Sequence, residues 1–210
     1  MLTLLAIVVL SYLIGSFPTS IIFGKIFKGI DIRDYGSGNA GGTNAFRVMG
    51  WKIGISVMMI DVAKGLIATV LISQIRIDPI SVAPVYLQII AGFSAVIGHI
   101  WTIFAGFRGG KGVGTAAGML IGLYPIAFIF VFIVFLLVLV TTRYVSVSSM
   151  TAAASLPLFL LILDYFGRAY KPQLMVLSLI IVLLIIFTHR SNIKRLFAGN
   201  ENRVRFGKKK

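Results

Sequence analysis

The sequence predicts an all-α protein that crosses a membrane several times. Three observations carry that prediction. Of the 210 residues, 58% are hydrophobic and the mean hydropathy is +0.99, against roughly 45–50% apolar residues in a soluble domain. Several apolar runs approach or exceed the ~20 residues a helix needs to cross a bilayer. The cations flank these runs, so the net charge of +14 reads as membrane topology and attraction to anionic headgroups rather than nucleic-acid binding. Cysteine is absent, which excludes disulfides and thiolate chemistry. The N-terminal residues lack a basic region and read as a first span, not a cleaved signal. Nothing argues for a separate soluble domain, and 1–210 is expected to be one integral-membrane domain.

The first span runs from about Leu2 to Phe23, with a kink or early stop expected at Pro18. Lys25 to Lys52 is a Gly-rich, charged loop. The second span covers about Ile53 to Ser73, Arg76-Ile77-Asp78-Pro79 is a turn, and the third span covers about Val82 to Phe104. Gly112 to Val140 is long for one crossing, and Tyr124-Pro125 divides it into a short Gly/Ala-rich segment and a strongly apolar one. After Arg143 come an apolar segment from Val145 to Leu163, a polar turn from Asp164 to Pro172, and a last apolar run around Leu174 to Phe187. The tail from His189 to Lys210 is polar and basic.

Three polar regions look chemical: 31–50, 98–115 and 189–201. To share a site they must face one side, so an even number of crossings must separate each pair. Splitting 112–140 at Tyr124-Pro125 meets this condition and gives seven transmembrane helices; the alternative is five with re-entrant segments. Sixteen of the 20 Lys and Arg then fall on one side, against three on the other (Arg76, Arg168, Lys171), with Lys64 inside a span. The positive-inside rule puts the N-terminus outside and the C-terminus, with all three polar regions, in the cytoplasm. The 12 residues from Gly112 to Leu123 reach only about 18 Å. A helix that short is tolerated where protein buries it or where it lines a wet cavity.

The stretch 98–115 holds His99, Arg108, Gly109, Gly110, Lys111, Gly112 and Thr115 between two apolar runs. Glycines let backbone N–H groups approach a ligand, and two cations supply charge, which suits a phosphate bound where a loop enters a helix. The blander reading is a charged loop that fixes topology. In the first polar region, Gly36, Ser37, Gly38, Asn39, Thr43 and Asn44 make a loop dense in donors. Arg47 adds a guanidinium suited to phosphate. The blander reading is an ordinary polar turn. A Walker A motif is excluded, because Ala105 and Gly112 stand where it needs Gly and Ser or Thr.

Asp61 and Lys64 share one face of an apolar span, either as a mutual pair or with Lys64 reaching the site. On a continuing helix His189 and Asn192 share a face, while Lys194 and Arg195 meet headgroups. His189 is either a general base or a snorkelling residue that ends a span. Two distant histidines without cysteine or a carboxylate cluster argue against a metal site.

These residues resemble three motifs of the bacterial acyl-phosphate:glycerol-3-phosphate acyltransferases, the PlsY family. The first is similar to Gly36-Ser37-Gly38-Asn39 through Thr43-Asn44 to Arg47. The second is similar to Gly98-His99 with Phe107-Arg108-Gly109-Gly110-Lys111-Gly112-Val113 to Thr115. The third is similar to His189, Asn192-Ile193, Arg195-Leu196, Gly199 and Glu201, and the set Asp61, Lys64, Gly65 also fits. Departures are Gly42 and Gly114 where the family usually has Ala, Thr102 where it often has Pro, and Thr188 where a basic residue often stands.

The resemblance implies transfer of a fatty acyl group from acyl phosphate to glycerol 3-phosphate, without cofactor, metal, nucleic acid or obligate protein partner, and with the acyl tail held in membrane lipid. It implies catalytic roles for Ser37, Lys111, His189 and Asn192. Phosphate or substrate contacts are expected from Gly36, Gly38, Asn39, Thr43, Asn44, Arg47, Lys64, Arg108, Gly109, Gly110 and Gly112. His99, Asp61, Thr115, Arg195 and Glu201 are expected to hold the others in place. The rival class is a membrane carrier or channel for organic phosphates, which can also use Gly-rich loops, broken helices and cations.

Overall fold

The computed structural model describes residues 1–167 and 172–204, and every regular element among them is helical. The chain falls into two compact units, Met1–Pro125 and Ile126–Lys210.

In the first unit, α1 (Leu2–Ser16) and α2 (Thr19–Lys28) are one apolar stretch broken at Phe17-Pro18. Pro18 has no N–H, and its ring pushes Phe17 out of the helical region, to ψ 113°. The expected kink is therefore a true break. A loop leads to α3 (Gly42–Met49), then α4 (Trp51–Val70), α5 (Pro84–Ile100) and α6 (Val113–Leu123). Small residues let these helices touch backbone to backbone, the packing favoured where lipid offers no hydrophobic drive. A Cβ on Gly15 of α1 would come 2.1 Å from the Ala95 carbonyl oxygen of α5, and one on Gly118 of α6 would come 1.9 Å from that of Val62 in α4.

At the far end of α1, the Met1 amine pairs with Asp78, whose carboxylate also accepts from the N–H groups of Leu2 and Thr3 at 2.9 Å each. The turn after α4 thus caps a helix distant in sequence. The N-terminal amine, with Thr3, holds the Asp78 carboxyl well below the usual range.

Among the described residues, five segments are long and apolar enough to span: Leu2–Lys28, Trp51–Gln74, Pro84–Ala105, Pro125–Thr142 and Val145–Tyr165. A sixth forms if α9 (Pro172–Thr188) and α10 (Arg190–Phe197) count as one bent crossing. Against the seven expected crossings, α6 is the short element. Its 11 residues cover about 16 Å, and it buries Thr115, Ala116, Gly118 and Met119.

In the second unit, α7 (Pro125–Thr142) begins at the proline that divided the long apolar run. Its Phe130 stacks on Phe159 of α8 (Val145–Tyr165) at 4.1 Å between centroids. The helix expected to continue through His189 instead bends by 57° between α9 and α10. The tail then folds back onto the α7–α8 turn. Val204 N donates to the Arg143 carbonyl at 2.8 Å, and Arg203 Nε donates to the Tyr144 hydroxyl at 2.7 Å. The predicted cations Arg168, Lys171, Arg205, Lys208, Lys209 and Lys210 lie outside the described residues.

Candidate active site

The first Gly-rich loop is shaped from both ends. Asp31 opens a 3-10 turn, accepting from Arg33 N at 3.0 Å and from the Arg33 guanidinium at 3.0 Å (Nε) and 2.7 Å (Nη2). That guanidinium holds the Asp31 carboxyl down at about 2 against the opposing effect of burial. From the other end, Asn44 in the first turn of α3 reaches back under the loop. Its Oδ1 accepts from Ser37 N at 2.9 Å, and its Nδ2 donates to the carbonyls of Ile32 at 3.0 Å and Tyr35 at 2.9 Å. Asn44 was grouped with the phosphate ligands; here both ends of its buried amide serve the loop's own backbone. Gly36, at φ 63°, lies so close that a Cβ would come 2.3 Å from Asn44 Oδ1. Gly36, Gly38 and Arg47 are exposed, and Ser37, Asn39 and Thr43 are half-buried.

The second loop leaves α5, passes through left-handed Gly106 and Phe107 (φ 64° and 59°) and doubles back. Gly109 N donates to the Ile100 carbonyl and Gly110 N to the His99 carbonyl, each at 3.0 Å. Gly112, at φ 81°, is the N-cap of α6. Arg108 is exposed, Lys111 half-buried and Thr115 fully buried. Arg33 Nη1 donates to the Ala105 carbonyl at 2.9 Å and so ties the two loops together. Each loop ends at a helix N-terminus, where first-turn N–H groups lack intrahelical partners and the helix dipole favours an anion. Arg33 went unnoticed in the sequence, where it reads as one more flanking cation.

Beside these loops the break between α1 and α2 opens a cleft lined by Phe17, Pro18, Thr19, Ala40, Asp61, Lys64, His99, Thr102, Gly109 and Gly110. Lys64 Nζ donates to Asp61 Oδ1 at 2.7 Å and to the Phe17 carbonyl at 2.6 Å. Thr19 Oγ1 donates to the same Asp61 oxygen at 3.3 Å, and His99 Nδ1 stands 3.6 Å from it. Asp61 and Lys64 therefore form the expected mutual pair, and both line the cleft. Thr19 gave no signal, being one of three neighbouring hydroxyl residues, with Ser16 and Ser20, in an apolar run.

In the second unit, His189 ends α9 and caps α10, with His189 and Asn192 2% and 6% exposed. His189 Nδ1 bonds the Ile185 carbonyl at 2.8 Å, which in the neutral ring leaves the lone pair on Nε2. Glu201 gathers the motif. It accepts from Asn192 Nδ2 at 2.6 Å, from Arg195 Nε at 2.7 Å and from Ser146 Oγ at 2.8 Å. Burial pushes the Glu201 carboxyl up, but the bonds from Asn192, Arg195 and Ser146 outweigh it and leave it below the usual carboxylate range. Ser146 was missed because it reads as an unremarked polar residue near the start of an apolar run.

A family model described as Glycerol-3-phosphate acyltransferase matches residues 5–199. The chain belongs to that family. Among similar proteins, a glycerol-3-phosphate acyltransferase of Chlorobium chlorochromatii is 52% identical over 99% of this chain and 100% of its own length. One from Chlorobaculum parvum is also 52% identical, over the full length of both. The fold matches a crystal structure of PlsY, an integral membrane glycerol 3-phosphate acyltransferase, in its glycerol 3-phosphate form. That match has a TM-score of 0.83 and 38% identity, over 97% of this chain and 96% of the other. The lysophosphatidic acid form of PlsY matches with a TM-score of 0.80 and 37% identity, over 97% and 95%. The protein is thus a membrane glycerol-3-phosphate acyltransferase of the PlsY type.

Proposed function

We propose that the acyl donor is an acyl phosphate and that the acceptor is the 1-hydroxyl of glycerol 3-phosphate, giving lysophosphatidic acid and inorganic phosphate. One observation carries this reading. Two Gly-rich loops, each ending at a helix N-terminus and tied by Arg33 to the Ala105 carbonyl, put phosphate-binding chemistry in one place. The glycerol 3-phosphate and lysophosphatidic acid forms of the matched PlsY structures support the acceptor and the product.

In the reaction the acceptor oxygen attacks the acyl carbon, the bond from that carbon to the phosphate oxygen breaks, and phosphate leaves. The donor is already activated, so positioning and charge stabilisation suffice without a covalent nucleophile. Ser37, Gly38, Thr43, Arg47 and Lys111 supply phosphate and oxyanion contacts, with Asn44 holding their loop. Gly36, Asn39, Arg108, Gly109, Gly110 and Gly112 complete the loops, and Lys64 lends charge from the cleft. His189 and Asn192 orient the glycerol 3-phosphate. The hydroxyl proton passes to His189 Nε2 or to a substrate phosphate. The family match runs through both units, which supports a single acyltransferase domain. The enzyme works in the plasma membrane, with its N-terminus outside and its site facing the cytoplasm.

Purified protein in proteoliposomes tests the reading. Production of lysophosphatidate is the expected result; counterflow of glycerol 3-phosphate without product lipid would overturn it in favour of a carrier. A His189→Ala variant assigns the base, since near-normal kcat with an altered KM would remove His189 from that role.

A further inference from the structure

His99 does no chemistry in the scheme above, yet the second glycine loop rests on it. The loop is pinned to the end of α5 by the bonds from Gly109 and Gly110 to the Ile100 and His99 carbonyls. Gly110 then faces the imidazole so closely that a Cβ there would come 2.1 Å from His99 Nε2. A Cβ on Gly109 would come 2.1 Å from the His99 carbonyl oxygen. The ring is itself fixed. It is 8% exposed, with Nδ1 3.6 Å from Asp61 Oδ1, and that oxygen also accepts from Lys64 and Thr19. Residues from α2, α4 and α5 therefore converge on one carboxylate inside apolar helices, an arrangement costly enough to ask for a use.

We propose that His99 is a positioning residue: its ring, buried beside Asp61, is the floor under Gly110 and sets the direction in which Lys111 leaves the loop. The contact is stiff because it joins a ring to a backbone with no side chain between them to yield. Any displacement of the ring passes straight to the 110–111 peptide. Misplacing a reacting group by about 1 Å costs on the order of 100-fold in rate, so a rigid floor one residue from a phosphate ligand has consequences. The proposal rests on the reading of Lys111 as a phosphate ligand.

The test compares Gly110→Ala, His99→Ala and the double variant in the full-length protein. It uses kcat and KM for both substrates and the yield of monodisperse protein in detergent. Gly110→Ala is expected to lose more than tenfold in kcat/KM, because its methyl meets the ring. His99→Ala is expected to raise KM for a phosphate substrate severalfold with the yield unchanged. The double variant is expected to recover at least fivefold over Gly110→Ala, since the methyl then has room. A double variant no better than Gly110→Ala, or a His99→Ala that lowers yield and leaves KM alone, overturns the proposal. If His99→Ala fails to fold, His99→Asn, shorter than the ring and still polar toward Asp61, carries the same comparison. Lys111→Ala separates the two claims. Normal activity there defeats the reading of Lys111, whereas an inactive Lys111→Ala without recovery in the double variant defeats the positioning role alone.

Discussion

Asp61 and Glu201 each gather three polar side chains, and both carboxylates are buried, with side chains 6% and 5% exposed, but their charged partners differ. Asp61 lies within α4 at 4% exposure, and its partner Lys64 is 3% exposed. Glu201 lies in the tail beyond α10, and its partner Arg195 keeps 28% of its side chain exposed. A charge pair inside apolar helices is weak evidence for net stability, because desolvation offsets attraction, yet breaking it strands a charge. A pair with one partner in water costs less to make and less to lose. The Asp61 pair, buried on both sides, thus sets a geometry at high stake, and Glu201 holds Asn192 beside an Arg195 that water still reaches.

The largest expected effect follows from that difference. Asp61→Ala leaves the Lys64 ammonium buried without its carboxylate and is expected to cost about 3–5 kcal/mol, read as a lowered Tm in detergent. Asp61→Leu with Lys64→Met together is expected to cost less than either single change, because no charge is stranded. Equal or additive losses would break the distinction between the two carboxylates.

Glu201→Gln comes next, at about 1.5–3 kcal/mol for weakened bonds to a charged group, with KM for glycerol 3-phosphate raised as Asn192 loosens. Glu201 also carries a pH signature. Its carboxyl lies below its ordinary value of 4.5 in the fold, so its contribution is complete above that value and is lost as pH falls beneath it. Tm measured from pH 6 downward is expected to fall more steeply below 4.5 in the parent than in Glu201→Gln.

Arg33→Ala is a smaller change for stability, at most about 1 kcal/mol. It unties the two loops and is expected to lower kcat/KM severalfold. Gly114→Ala should do least, because only the Asp61 Cβ, at 3.2 Å, crowds its methyl and a shift of a few tenths of an ångström relieves it. A Tm loss equivalent to about 1 kcal/mol or less is expected.

Much of this arrangement was legible in the sequence. Pro18 and Pro125 lack the N–H that a helix interior needs, so both interruptions were foreseeable, although Pro157 inside α8 shows that an apolar helix can carry a proline without ending. The glycines and cations of 98–115 marked a loop entering a helix, and Gly112 caps α6 there; α3, inside the stretch expected as a loop from Lys25 to Lys52, was not foreseen. The bend at His189 was not legible, because nothing there forbids a straight helix. The roles of Asn44, Arg33, Thr19 and Ser146 were hidden for a common reason. Each acts on atoms brought close by folding, and a single polar side chain carries no sign of which distant carbonyl or carboxylate it will meet. The sequence suggests a supporting role for His99, but the contact with Gly110 needs the loop's return path.

The most direct measurement of the central claim is the stoichiometry of a single purified reaction. Acyl phosphate and glycerol 3-phosphate are supplied together, and released phosphate and lysophosphatidate are counted against the same reaction run with an acyl thioester. The account predicts one phosphate for each lysophosphatidate from acyl phosphate, little product from the thioester, and loss of both products in Lys111→Ala. Efficient turnover of the thioester, or product from acyl phosphate that survives Lys111→Ala, would contradict it.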